Sequence, residues 1–140
     1  MLGALAGLAL VAGGCGELSN AEFRSKVDGI CKRAAAEVGK VPPPAADDLA
    51  ANGRYADQII PIVRKTHDQL EAVDAPSNRK SGYKTYVDAI DRFSTLLGRR
   101  RNAARAGERR IYSALVEQQN TVLQESKAQA ALLGFQQCSK

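Results

Sequence analysis

Apolar residues recur at steps of three and four in four segments of the chain, which is the spacing of one face of an α-helix. The first segment follows Ser19-Asn20-Ala21-Glu22, a capping box in which the Ser19 side chain accepts from the Glu22 backbone N–H. It ends at Gly39 and the proline run that begins at Pro42, because proline cannot continue a helix. Its apolar face comprises Phe23, Val27, Ile30, Cys31, Ala34 and Val38. A first helix is therefore predicted from residue 20 to residue 38.

The second segment contains residues that disfavour a helix. It is predicted to begin near Ala46 and to end at Ala75-Pro76. Asn52-Gly53 is a candidate point of division, and Pro61 predicts a kink or a later start, since proline removes one backbone hydrogen bond. The apolar face comprises Leu49, Tyr55, Ile59, Ile62, Val63, Leu70 and Val73.

The third and fourth segments are joined by a short link at residues 105–107. The third is predicted to start near Asn78 or Gly82, to end at Ala104, and to show the strongest helical period of the chain. Its apolar face comprises Tyr83, Tyr86, Val87, Ile90, Phe93, Leu97 and Ala104. The fourth runs from Glu108 towards Cys138, with a face of Ile111, Leu115, Val122, Ala130 and Leu133 and with Tyr112, Val116 and Leu123 beside it.

Composition and connection lengths indicate how the predicted helices are arranged. Tryptophan is absent, aromatic residues make up 5% of the chain, and β-branched residues never form alternating runs, all of which favours helices over sheet. A chain of 140 residues has room for one core. Because short links place successive helices side by side and antiparallel, the prediction is an all-α, up-down-up-down four-helix bundle over residues 20–140.

The N-terminus has the pattern of an export signal. Leu2 to Ala12 is an uncharged run of eleven residues, too short to span a bilayer, followed by Gly13-Gly14 and Cys15. These residues resemble the lipobox of bacterial lipoproteins, in which small residues precede a cysteine that is diacylated and becomes the new N-terminus. The family prefers Leu where this chain has Ala12. No basic residue precedes the run, which indicates a weak signal or a start further upstream.

The resemblance implies a signal peptide at residues 1–14, lipidation of Cys15 and a lipidated tether at residues 15–19. Two acyl chains would anchor the protein durably to the membrane. Two alternatives are a soluble secreted protein cut near Gly14 and an N-terminal helix buried in the core.

Three cysteines in an exported chain leave one without a partner. If Cys15 carries lipid, Cys31 and Cys138 remain. They are 107 positions apart, with no C-x-x-C motif and no nearby histidine, so a structural disulfide is favoured over a redox or metal pair. Such a bond requires that the tail after Gly134 folds back along the first helix, or that the fourth helix ends beside the first helix at the level of Cys31. Without lipid, Cys15 is again a possible partner.

The net charge of +5 comes from one short stretch. Six arginines and one glutamate lie between residues 99 and 110, around the turn between the third and fourth helices. The arginines are Arg99, Arg100, Arg101, Arg105, Arg109 and Arg110. In an antiparallel bundle this turn lies opposite the tether, so the cluster is a candidate site for an anionic envelope polymer or a protein partner. The alternative is a solvated turn whose arginines meet Asp47 and Asp48.

Residue types that mark enzymes are scarce. His67 is the only histidine, and Arg64 stands where a di-iron Glu-x-x-His motif needs glutamate. The sequence has no phosphate-binding glycine loop and no serine elbow, so no catalytic residue, metal or cofactor is expected. No aromatic residues alternate with the arginines for base stacking, so nucleic acid is not expected as a partner.

One further resemblance covers nearly the whole chain after Cys15. It rests on Phe23…Ile30-Cys31, the proline-rich break, Ala75-Pro76, Ala104…Gly107 and Leu133-Gly134-Phe135…Cys138. These features resemble small uncharacterised lipoproteins of high-GC Gram-positive bacteria. The resemblance implies an exported helical domain with a disulfide from the first helix to the C-terminus, and it implies no activity or ligand.

The expected function is therefore that of a non-enzymatic cell-envelope lipoprotein at the extracytoplasmic face of the membrane, acting as an interaction or structural module. The alternatives are an anion-binding module that uses the arginine cluster and a small-molecule binder. A cavity lined by Tyr55, Tyr83, Tyr86 and Tyr112 would favour the small molecule, and a close-packed interior would favour the interaction module. The oligomeric state is left open.

Overall fold

The computed structural model describes residues 16–140, which form four α-helices and, within that range, no strand. The helices are α1 (Asn20–Val38), α2 (Leu49–Glu71), α3 (Lys80–Arg105) and α4 (Arg109–Leu133). α3 packs along both α2 and α4, and α1 packs on α2. The predicted antiparallel four-helix bundle closed by one disulfide is confirmed. The predicted signal peptide and the lipidation of Cys15 lie outside the described residues.

An aromatic cluster fills the end of the bundle where α1 and α3 begin and α2 and α4 end, called the base here. Phe23, Tyr83, Tyr86 and Phe135 pack mostly edge to face, with ring centroids 4.9 Å apart for Phe23 and Tyr83 and 5.6 Å apart for Tyr86 and Phe135. The Tyr83 hydroxyl donates to the Leu70 carbonyl at 2.7 Å. Burial raises the pKa of both tyrosines, so the hydroxyl of Tyr83 remains protonated as a donor.

The C-terminal tail folds back along α1, which is the first of the two routes that the disulfide allowed. Gly134 ends α4 with φ of 80°, a left-handed conformation that glycine adopts without strain. The backbone N–H groups of Gln136 and Gln137 then donate to the Asp28 carboxylate at 3.1 and 2.7 Å. This path brings Cys138 to Cys31, where the disulfide forms with the two Cα atoms 5.3 Å apart.

α2 begins later than predicted and runs through both of its expected breaks. It starts at Leu49 because the Asp48 side chain accepts from the Ala51 N–H at 2.8 Å and caps the helix. Asn52 does not divide it, since its backbone N–H donates to the Asp48 carbonyl at 2.9 Å in the regular helical pattern, and its Nδ2 donates to the same carbonyl at 2.8 Å. Gly53 is buried against α3, and Pro61 lies on the exposed side within the continuous helix.

At the opposite end, the tip, α2, α3 and α4 share a second core. The predicted face of α4 is wrong at its first turn: Ile111 is 49% exposed, and Tyr112 is buried instead. The Tyr112 hydroxyl donates to the Asn52 Oδ1 at 2.8 Å, so a buried polar pair joins α4 to α2. Only the first turn of α4 differs, because the later positions of the predicted face are buried as predicted: Leu115, Val122, Ala130 and Leu133.

The helices differ in length in a way that shapes the surface. α1 has 19 residues and α3 has 26, so at 1.5 Å per residue they span roughly 28 and 39 Å. α1 therefore stops at Val38, well below the tip. Above that point the bundle consists of α2, α3 and α4 with the connection at residues 39–48.

The segment after residue 15 is held at the base. The Ser77 N–H donates to the Glu17 carboxylate, and Arg79 Nε donates to Asn20 Oδ1 at 3.3 Å. The start of the described chain is thus tied to the turn between α2 and α3, at the far end of the bundle from the arginines. Among the helices of residues 16–140, none combines the length and the apolar character that a membrane crossing needs.

Candidate functional site

The structure distributes the six predicted arginines over several surfaces instead of one. Arg105 forms an ion pair with Asp57 at 2.6 Å, and Arg101 lies 3.8 Å from the same carboxylate. Arg109 donates to the backbone carbonyl of Asp47 at 3.2 Å. The contact to Asp47 is therefore to its carbonyl, not to its carboxylate, and the Asp48 side chain is occupied as the cap of α2.

The three remaining arginines point in different directions. Arg100 is partly buried, with an η nitrogen that donates to the Gln119 side chain and a guanidinium 5.7 Å from the centre of the Tyr112 ring. Arg110 is exposed at the start of α4. Arg99 is exposed and lines a groove between α2 and α3. Arginines that are neighbours in sequence therefore line two distinct grooves: Arg99 and Arg101 line one, and Arg100 lines the other.

The first groove, called the α2–α3 groove, has a volume of about 520 Å³ and a mainly polar lining. Its lining residues are Arg64, His67, Asp68, Asp91, Ser94, Thr95, Gly98, Arg99, Arg101 and Asn102. A Cβ added at Gly98 would meet no atom within 4 Å, so this part of the groove is open. Arg64 and Arg99 form no ion pair among residues 16–140, which leaves both guanidinium groups available to an anionic ligand.

The sequence did not identify the contribution of α2 to this groove. Arg64, His67 and Asp68 lie at steps of three and four beside the apolar face of α2, which is a signal for a shared polar face. Their position opposite Arg99 depends on how far α2 slides along α3. That register is decided by the packing of the two helices and cannot be read from either one alone.

The groove also contains the residue types of a hydrolytic triad. His67 Nδ1 lies 3.5 Å from Asp68 Oδ1, and Ser94 lines the same groove. Within the described residues no hydrogen bond joins His67 to Ser94. Because Asp68 is its sequence neighbour and is 79% exposed at the side chain, it gives the imidazole no buried, orienting partner of the kind a triad needs.

One group within the described residues could supply three ligands to a metal. Ligand atoms of His67, Asp68 and Glu71 all lie within 4.8 Å of one another. All three come from the last two turns of α2, with His67 partly buried and the two carboxylates exposed. Side chains three or four positions apart are neighbours in any helix, so their closeness needs no metal and we assign none.

A second groove, called the α2–α4 groove, lies where α1 stops short. It has a volume of about 310 Å³ and is lined by Val38, Tyr55, Ile59, Val63, Phe93, Leu97, Arg100, Gln119, Asn120 and Leu123. The floor is formed by α3 and the walls by α2 and α4. Its surface is mostly apolar, in contrast to that of the α2–α3 groove.

The four tyrosines do not line one cavity. Tyr83 and Tyr86 belong to the aromatic core of the base, and Tyr112 is buried at the tip on Asn52. Tyr55 lines the α2–α4 groove. A cavity shared by all four tyrosines, which would have favoured a small-molecule binder, is therefore absent from the described part of the chain, and only Tyr55 contributes to an apolar groove.

Comparison of the sequence with families of known proteins, with curated proteins and with solved structures finds no match.

Proposed function

We propose that this protein is a non-enzymatic lipoprotein of the cell envelope that binds an anionic envelope polymer in the α2–α3 groove. The observation that carries the proposal is the meeting of Arg64, Arg99 and Arg101 around one open groove, two of them without an ion-pair partner among residues 16–140. Arginine binds phosphate and carboxylate through two parallel hydrogen bonds, which makes it suited to such polymers.

The other lining groups favour a ligand that carries hydroxyls as well as charge. Ser94, Thr95 and Asn102 can donate and accept hydrogen bonds, and the carboxylates of Asp68 and Asp91 can accept from hydroxyl groups. A polymer of sugar or polyol units with phosphate or carboxylate groups offers both kinds of partner. An open groove also suits a chain that continues beyond the site on either side.

The location of the groove supports the same proposal. It runs along the side of the bundle, from Arg64, His67 and Asp68 in the last third of α2 to Arg99 and Asn102 near the end of α3, whereas residues 16–20 lie at the base. A lipid on Cys15 would hold the base at the membrane, and the end of the groove at Arg99 and Asn102 would then lie farther from the membrane than the end at His67. This arrangement is what a protein needs to reach a polymer outside the lipid layer.

The anchor is tested by intact-mass spectrometry of the protein taken from its native membrane. We expect a chain that begins at Cys15 with a diacylglyceryl group, and a gain of two hydrogen masses after reduction of the disulfide. Replacing the lipidated cysteine, Cys15→Ser, should abolish the adduct, because the thiol is the site of acylation. A native mass without lipid would contradict the anchor and favour a soluble secreted protein.

Polymer binding is tested with poly(glycerol phosphate), and with a neutral glucan as the uncharged comparison. The double variant Arg64→Glu/Arg99→Glu should weaken binding of the charged polymer about tenfold or more, because two charge-assisted contacts are lost and each factor of ten is 1.4 kcal/mol. Binding by the native protein should also weaken as salt is added, since exposed charges are screened.

A matched control separates the groove from general basic charge. Arg54→Glu/Arg110→Glu makes the same change in net charge at two exposed arginines outside both grooves. The proposal expects this control to bind nearly as well as the native protein. Equal weakening by both double variants, or no preference for the charged polymer over the glucan, would overturn it.

A further inference from the structure

The α2–α4 groove combines apolar walls with one cation at its end. Val38, Tyr55, Val63, Phe93 and Leu123 are only partly buried there, so apolar surface remains open to solvent in a concave site. Leu97 on the floor and Ile59 at the foot of the α2 wall are buried. Apolar surface in a concave site, with a few polar groups at defined positions, is the usual character of a small-molecule site.

The order of residues along the helices places the cation at one end. α3 ascends from Phe93 through Leu97 to Arg100, while α1 ends at Val38 on the side nearer the base. The seven helical steps from Phe93 to Arg100 span roughly 10 Å. The groove is therefore a short apolar channel with a guanidinium at the end nearer the tip.

Arg100 has unused capacity to bind an anion. Its η nitrogen donates to the neutral amide of Gln119, which is 3% exposed, and it forms no ion pair among the described residues. Its Nε is buried and has no hydrogen-bond partner within that range. Because the buried Nε is closed to solvent, a ligand carboxylate would accept instead from the second η nitrogen, which is not buried and has no hydrogen bond to residues 16–140.

We propose that the α2–α4 groove binds a single-chain amphiphile with one carboxylate, its chain along Phe93 and Leu97 and its carboxylate on Arg100. The size favours a small molecule, because about 310 Å³ is near the lower end for ligand sites, whereas a protein partner would bury ~800 Å² on each side. The charge favours a carboxylate over a neutral lipid. This site is separate from the proposed polymer site.

The test is calorimetric titration of the full chain with decanoate, in buffer without detergent. Decanol supplies the same apolar chain without charge, and acetate supplies the charge without the chain. We expect decanoate to bind more tightly than either. The variant Arg100→Met, which keeps an apolar stem, should weaken decanoate binding about tenfold to a hundredfold, because hydrogen bonds to a charged group are lost.

A second variant tests the same site without touching a buried side chain. Asn120 is exposed on the groove wall formed by α4, so Asn120→Glu should leave the fold intact and weaken decanoate binding by repulsion. Asn120→Gln is its uncharged control, and Arg110→Met is the control for loss of an arginine outside the groove. Both controls should bind decanoate like the native protein.

Three outcomes would overturn the proposal. They are absence of decanoate binding to the native chain, equal binding of decanol and decanoate, and binding that neither Arg100→Met nor Asn120→Glu weakens. Polymer binding that fails while decanoate still binds would contradict only the proposed function, since the variants that test the two grooves do not overlap.

Discussion

Removing the disulfide with Cys31→Ser/Cys138→Ser should lower the free energy of unfolding by about 4–5 kcal/mol. The bond joins residues 107 apart, and in the chain-entropy model closing a loop of this length restricts the unfolded chain strongly. Most single domains are stable by only ~5–15 kcal/mol, so this loss is a large share of the total. The measurement is urea unfolding followed by circular dichroism.

Two comparisons check the cause. The native protein in reductant should lose nearly the same stability as the double serine variant, because both lack the covalent link. The Tyr86 hydroxyl, 3.4 Å from the Cys31 sulfur, can still donate to a thiol or a hydroxyl, so its hydrogen bond adds little to the difference. A loss below ~1 kcal/mol would mean that the unfolded state is already compact and that the entropic estimate does not apply.

Phe135→Ala should destabilise the protein by about 3–5 kcal/mol, the usual cost of removing a buried phenylalanine. Its side chain is 1% exposed, and its ring centroid lies 5.4 Å from that of Phe23, 5.6 Å from that of Tyr86 and 6.0 Å from that of Tyr83. The disulfide and the contacts of the tail hold the backbone in place on either side. The cavity therefore cannot close by local collapse, and the full cost should appear in urea unfolding.

Leu132→Ala is the matched control for this prediction. Leu132 lies three residues earlier in the chain and is 77% exposed, so its replacement should change stability by at most ~0.5 kcal/mol. A loss under ~1.5 kcal/mol for Phe135→Ala would show that the base repacks around the missing ring. The close ring contacts of Phe135 would then contribute less to stability than we expect.

The short first helix accounts for the α2–α4 groove of the second proposal. If α1 were as long as α3, it would cover the space between α2 and α4. Instead α1 ends at Val38, beside that space. The aromatic cluster and the disulfide close the bundle at the base, away from this space. The α2–α4 groove can therefore stay open without loss of those interactions.

Much of the fold could be predicted from the sequence, because helix signals act over a few residues. The capping box at Ser19 is present as predicted, with the Glu22 N–H donating to the Ser19 hydroxyl at 3.2 Å. The apolar steps located all four helices, and the count of cysteines pointed to the pair that forms the disulfide. These features depend on spacing along the chain, which the sequence contains in full.

Local signals were misleading where a distant residue intervenes. Asn52 carries a turn signal, yet it lies in the first turn of α2 and its side-chain oxygen accepts from the Tyr112 hydroxyl on α4. Ile111 fits the apolar period of α4, yet the neighbouring tyrosine is buried in its place. In each case the partner lies some 60 positions away, beyond what a local pattern can report.

What the sequence predicted by itself was therefore the four helices, their antiparallel order and, with Cys15 set aside as the lipidated residue, the disulfide that closes them. Only the tertiary structure decided that adjacent arginines serve different surfaces: Arg99 faces the α2–α3 groove, and Arg100 lies on Gln119 in the α2–α4 groove. The physical reason is that neighbours on a helix point about 100° apart at 3.6 residues per turn. Which neighbour meets which groove depends on the rotation and register of whole helices, and these are set by packing across the bundle.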